Sequence, residues 1–175
     1  MKKHIYLIGF MGAGKSTLGK LLAETLNVAF VDLDSVIERE QQSTIGEIFQ
    51  QHGAPFFRQL ETDAIQKISK ENPAVIALGG GAIQSENNLK VIKESGLLIY
   101  LNVSLLTLIN RLKNDRSNRP IIAQIPHEEL NAFIENLLSE RVGQYKKADL
   151  FVPNESKEPI KVVESIVKDL VKLNF

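Results

Sequence analysis

At 175 residues, 43% hydrophobic and 24% charged, the chain is long enough to bury one core and short for two domains. Lys+Arg and Asp+Glu each number 21, so no global field draws it to nucleic acid or an anionic membrane. Cysteine is absent, which excludes a disulfide framework and a thiolate metal site. The apolar run after Lys2, Lys3 and His4 is broken at Gly9, too short for a secretory core or a membrane span. The expectation is a single cytoplasmic domain over residues 1–175.

Five short apolar runs follow in order: His4 to Gly9, Val28 to Asp32, Ala74 to Leu78, Leu97 to Asn102 and Leu150 to Val152. None alternates with polar residues, as expected of strands buried on both faces. Between them lie helical stripes at Ser16 to Leu26, Ser104 to Leu112 and Glu128 to Tyr145. Thr44 with Glu47 has the spacing of a capping box, and Pro55 suits the first turn of a helix through Phe57, Leu60, Ala64 and Ile68. Alternating strands and helices imply an α/β fold with a parallel sheet. Arg111 to Gln124 is polar and broken by Pro120, and reads as an exposed flap. Three of the six arginines, Arg111, Arg116 and Arg119, fall in it.

Gly9-Phe10-Met11-Gly12-Ala13-Gly14-Lys15-Ser16 matches G-x-x-x-x-G-K-[ST], after an apolar strand and at the start of an amphipathic helix. Glycines let successive N–H groups converge on phosphate oxygens, and the helix N-terminus adds its positive dipole end. Lys15 supplies the charge for the β- and γ-phosphates, and Ser16 an oxygen for Mg²⁺.

Asp32 ends the second strand and Asp34 follows; the pair could serve magnesium and a substrate hydroxyl, or one of them could cap the next helix. Gly79-Gly80-Gly81 closes the third strand, where open α/β sheets bind ligands, although such a run could also be a flexible turn. Arg58 beside Phe56 and Phe57 suits bidentate carboxylate recognition, or forms a surface pair with Glu61 three residues on. Arg141 could be a helix-end charge. His4, His52 and His127 lack metal-ligand spacing.

Taken together, the phosphate loop through Thr17, Asp32-Leu33-Asp34, Phe56 to Glu61, Gly79 to Gly81, Asn118-Arg119-Pro120 and Glu140-Arg141 to Tyr145 resemble the shikimate kinase family in order and spacing. The resemblance implies a P-loop fold of nucleoside monophosphate kinase type, with a five-stranded parallel sheet flanked by helices and a mobile lid. The lid is expected at about 111–124 and substrate-binding helices at about 33–61. It implies ATP-dependent phosphorylation of the shikimate 3-hydroxyl, towards chorismate and the aromatic amino acids, by a monomer using Mg²⁺. By position, Lys15, Asp34 and Arg119 are catalytic. Gly12, Ala13, Gly14, Lys15, Ser16, Thr17, Arg111 and Arg119 bind the nucleotide, with Arg111 over the adenine. Asp34, Arg58, Gly79, Gly80, Gly81 and Arg141 bind shikimate, and Ser16 and Asp32 serve the metal.

Two departures stand out: Gly143 where many members have Pro, and Ile121-Ile122 where many have Leu-Leu. Another small-molecule kinase of the same fold, for gluconate or a nucleoside monophosphate, is the nearer alternative. A GTPase-like switch is the farther one, since Asp-x-x-Gly occurs nowhere and Lys146-Lys147-Ala148-Asp149 only approaches a guanine motif.

Overall fold

A computed structural model describes residues 3–114, 120–155 and 158–175. Among the described residues there are five strands: β1 (His4–Ile8), β2 (Ala29–Asp32), β3 (Ala74–Ala77), β4 (Gly96–Asn102) and β5 (Leu150–Pro153). All pair in parallel, in the order β2-β3-β1-β4-β5. Each expected strand is present with its ends shifted by a residue or so.

Along β1 the side chains alternate between two cores, as a pleated strand requires. Ile5 and Leu7 join Leu18, Leu22, Val163 and Ile166 on one face, whereas Tyr6 and Ile8 join Leu33, Ile37, Ile65 and Ile92 on the other. The first face is covered by helices α1 (Lys15–Thr25), α5 (Leu105–Asn114), α7 (Leu130–Tyr145) and α8 (Pro159–Lys172), and the second by α2 (Leu33–Gln41), α3 (Ile45–Ile68) and α4 (Glu86–Ser95). Helices α4 and α8 were not expected from the sequence. The apolar stripe of α8, with Val162, Val163, Ile166 and Leu170 buried, is a readable signal. Only Leu89 and Ile92 mark α4 among its buried apolar residues.

Thr44 and Glu47 form the expected capping box: the Thr44 N–H donates to Glu47 Oε2 at 2.7 Å and the Glu47 N–H to Thr44 Oγ1 at 3.2 Å. The helix begun there turns at Gly53 (φ 78°, ψ 177°) and resumes through Pro55. The box and the proline therefore start two halves of one element.

The stretch expected as an exposed flap is not uniformly exposed. Arg111 to Asn114 complete α5, and Pro120–Ala123 forms the short helix α6. Leu112 and Ile122 are fully buried in the first core, because even this polar segment has apolar residues that pack once helical. At Gly143 the helix α7 continues, and an added side chain would meet nothing within 4 Å. Packing therefore does not require a glycine there. No helix among the described residues is long and apolar enough to cross a membrane.

Strand order fixes where a ligand can sit. From β1 the chain crosses past β3 to β2, whereas from β3 it crosses past β1 to β4. Beyond the carboxyl ends of β1 and β3 the connections diverge, and that crevice is the topological switch point of an open α/β sheet.

Candidate active site

A cavity of about 1180 Å³ opens at this crevice and is lined at one end by Gly12, Gly14, Lys15, Ser16 and Arg111. Its other end is formed by Asp34, Arg58, Glu61, Arg141 and the glycines 79–81. The phosphate loop and the residues expected to bind the acceptor, far apart in sequence, therefore face one space.

The loop between β1 and α1 carries Gly12 at φ 79° and Gly14 at φ 88°, left-handed backbone that a side chain would strain. Lys15 Nζ donates to the Gly9 carbonyl at 2.8 Å and to that of Phe10 at 3.2 Å, so the lysine arches over its own loop. Thr17 lines the cavity as well, whereas the Ala13 side chain is buried beneath the loop. Only the Ala13 backbone can face a ligand.

Asp32 stands at the N-cap of α2 without making a side-chain cap bond. Its Oδ2 accepts instead from Ser16 Oγ at 2.8 Å, which joins the expected metal pair and removes the capping alternative for Asp32. Asp34, in the first turn of α2, points inward. Its Oδ1 is buried and accepts no hydrogen bond among the described residues. Burial, and secondarily the neighbouring Asp32, push its pKa up, while Lys15 opposes the shift.

That shift has a stability consequence with a definite sign. A carboxyl whose folded pKa is raised contributes stability at low pH that is lost as pH rises through the folded value. The ionised Asp34 therefore destabilises the fold at neutral pH, and Asp34→Asn should raise the melting temperature at pH 7. The gain should vanish below about pH 4, where both states are protonated. Thermal melts across this range test it, and a lower melting temperature at pH 7 would contradict the burial argument.

Glu61 is fully buried and paired with Arg58, so the alternative of a surface pair does not hold. Burial pushes the Glu61 carboxyl up while the Arg58 guanidinium pulls it down. Helix α3 buries the glutamate and leaves Arg58 at the cavity, against Phe57 at 5.5 Å from the ring centroid.

Glycines 79–81 are needed because these charges press on them. A Cβ on Gly79 would lie 2.8 Å from Glu61 Oε1 and 3.2 Å from Asp34 Oδ1. On Gly80 it would meet Arg141 Nη1 at 2.8 Å, and on Gly81 Arg58 Nη2 at 2.6 Å. The run is a close-packed floor under two guanidiniums, not a loose turn. Arg141 also lies over Phe10, 5.9 Å from the ring centroid, and lines the cavity.

Tyr145 Oη donates to the Gly80 carbonyl at 2.9 Å. Its pKa is pushed up to about 12 by burial, so it remains a donor at neutral pH. Arg111 lies beside the phosphate loop, donating through Nη1 to the Gly12 carbonyl at 3.1 Å and through Nη2 to that of Asn154 at 2.9 Å. Sequence reasoning missed the buried Asn154, which carries no motif. It met Glu61 only as a partner at helical spacing. Arg116 and Arg119 lie outside the described residues.

Comparison with known proteins agrees with this geometry. The family model for shikimate kinase matches residues 11–171. The shikimate kinase of Sulfurihydrogenibium sp. (strain YO3AOP1) is 42% identical over 165 residues, covering 94% of this chain and 96% of that protein. The solved shikimate kinase from Acinetobacter baumannii, in complex with shikimate, is similar with a TM-score of 0.89 at 32% identity, covering 98% of this chain and 94% of the other. A gluconokinase from Sinorhizobium meliloti 1021, covering 98% of this chain and 93% of its own, reaches a TM-score of 0.58 at 13% identity, a likeness of fold alone. With the family pattern spanning residues 11–171 and so near a relative along almost its whole length, the chain belongs to the shikimate kinase family.

Proposed function

We infer that the chain catalyses transfer of the γ-phosphoryl group of ATP to the 3-hydroxyl of shikimate, giving shikimate 3-phosphate and ADP. The carrying observation is the single cavity with a phosphate loop at one end and Asp34, Arg58 and Arg141 at the other. In the reaction the hydroxyl oxygen forms a bond to phosphorus, the bond from phosphorus to the ADP oxygen breaks, and the hydroxyl proton passes to Asp34. Burial raises the proton affinity of that carboxylate, which suits a base. Arg58 and Arg141 hold the substrate carboxylate above the glycine floor, and Lys15 leaves its loop carbonyls for the phosphates.

Mg²⁺ fits the residues present. Ser16 Oγ and Asp32 Oδ2, 2.8 Å apart, are hard oxygen donors, and Mg²⁺ takes its remaining ligands from phosphates and water. Bound there, the ion would neutralise charge on the β- and γ-oxygens. Arg119 is proposed to reach the transferring phosphoryl group from a lid at about 111–124, with α2 and the α3 residues up to 61 as the substrate-binding helices. Arg111 is proposed to present its face to the adenine while its edge holds two carbonyls. The same reading takes the protein as one cytoplasmic, monomeric domain binding neither nucleic acid nor membrane, in keeping with its balanced charge.

Phosphorus NMR of the product tests the reading. One phosphoryl group on the C3 oxygen is expected, and ATP hydrolysis without transfer would contradict it. Arg58→Lys should raise the KM for shikimate by roughly tenfold and leave that for ATP nearly unchanged, because a lysine offers a point charge in place of a planar fork. Equal effects on both substrates in initial-rate kinetics would reduce Arg58 to a structural partner of Glu61.

A further inference from the structure

Asn154 follows β5 directly and is 5% exposed, a burial that an amide tolerates only with partners. Its Nδ2 donates to the carbonyl of Ala13, in the middle of the phosphate loop, at 2.6 Å. The Asn154 N–H donates to the Asn102 carbonyl at the end of β4 at 2.9 Å, so the residue is anchored to the sheet. Its own carbonyl accepts from Arg111 Nη2, and Arg111 Nη1 donates to the Gly12 carbonyl. Two consecutive carbonyls of the loop, Gly12 and Ala13, are thus held by donors on one side.

The peptide that joins Ala13 to Gly14 has a second end. In a planar trans amide the C=O and N–H point in opposite directions. Holding the Ala13 carbonyl against Asn154 Nδ2 therefore fixes the Gly14 N–H in the opposite direction, within the loop where Gly14, Lys15 and Asn154 all line the cavity. Gly14 is also constrained from the asparagine side, since a Cβ there would sit 2.9 Å from Asn154 Nδ2. The glycine leaves room for the hook as well as supplying the left-handed φ of 88°.

We propose that Asn154 is a positioning residue for the nucleotide, its side-chain amide fixing the Ala13 carbonyl so that the Gly14 N–H stays aimed at the terminal phosphates. This rests on the nucleotide reading of the cavity but not on the identity of the acceptor. Sheet, phosphate loop and α5 are joined through this one side chain and its backbone. The loop is then held in its phosphate-binding form before ligand arrives, which lowers the ordering cost of binding.

Calorimetric titrations of Asn154→Ala and Asn154→Leu with ADP, with tripolyphosphate and with shikimate test the role. Alanine removes the donor, and leucine removes it while keeping most of the volume. Both folded variants should bind ADP and tripolyphosphate about tenfold more weakly, with shikimate affinity unchanged. Unaltered tripolyphosphate affinity, a loss confined to ADP, or an equal loss for shikimate would overturn the proposal in favour of no role, a base-pocket role or general support. If neither variant folds, the ¹⁵N-labelled wild-type protein decides: tripolyphosphate should shift the Gly14 amide resonance, and an unmoved resonance overturns the proposal. Failure of the wild-type protein to bind tripolyphosphate at all would overturn the nucleotide reading as well.

Discussion

Asp34→Asn should lower kcat by roughly 10² to 10⁴, with a much smaller change in nucleotide affinity. An amide of the same shape keeps the packing at the start of α2 but cannot take the hydroxyl proton. The wild-type group is suited to that step because its buried Oδ1 accepts no hydrogen bond among the described residues and its pKa is raised chiefly by burial. The same substitution is expected to stabilise the fold at neutral pH, so activity and stability should move in opposite directions, as at many functional sites. Initial-rate kinetics and nucleotide titrations on one preparation check both arms. If nucleotide binding fell while turnover survived, Asp34 would belong with Asp32 on the metal side of the cavity.

Lys15→Met should reduce turnover by about 10³ or more while leaving the fold intact, since the side chain supplies charge at the oxygens where it builds up during transfer. Methionine retains most of the length and none of the charge. Lys15 donates to the Gly9 and Phe10 carbonyls, and both residues are buried, so the variant takes a donor from two sheltered carbonyls. The melting temperature should therefore fall by a few degrees while the variant still folds. Near-normal turnover in a folded variant would contradict the phosphate-loop mechanism.

The two substitutions probe opposite ends of the cavity, and these ends were unequally legible in the sequence. The phosphate loop was readable because its chemistry lies in eight consecutive residues, Gly9 to Ser16, whose spacing is fixed by backbone geometry. The five strands were readable because each is a short apolar run, but only β1, β3 and most of β4 are buried on both faces as expected, whereas β2 and β5 lie at the sheet edges and are partly exposed. Arg58 with Glu61 was ambiguous, because a spacing of three serves an exposed helix face and a buried pair equally well. Burial of Glu61 depends on where α3 packs, which no local pattern records. Asn154 was invisible for the same reason: its partners Ala13, Asn102 and Arg111 come from three other segments. Local polarity suggested exposure throughout residues 111–124, whereas Leu112 and Ile122 are core residues. Single apolar side chains, each placed by its helix, overrode the average.

The most direct measurement is ADP release, coupled to a spectroscopic readout, with ATP and each of three acceptors offered separately: shikimate, gluconate and a nucleoside monophosphate. Two guanidiniums over a floor of three glycines, with a buried carboxylate beside them, suit a compact carboxylated ring. The expected result is sustained, stoichiometric ADP release with shikimate and background release with the other two. Release driven by gluconate or by a nucleotide, with shikimate inert, would contradict the assignment of the acceptor site while leaving the phosphate loop in place.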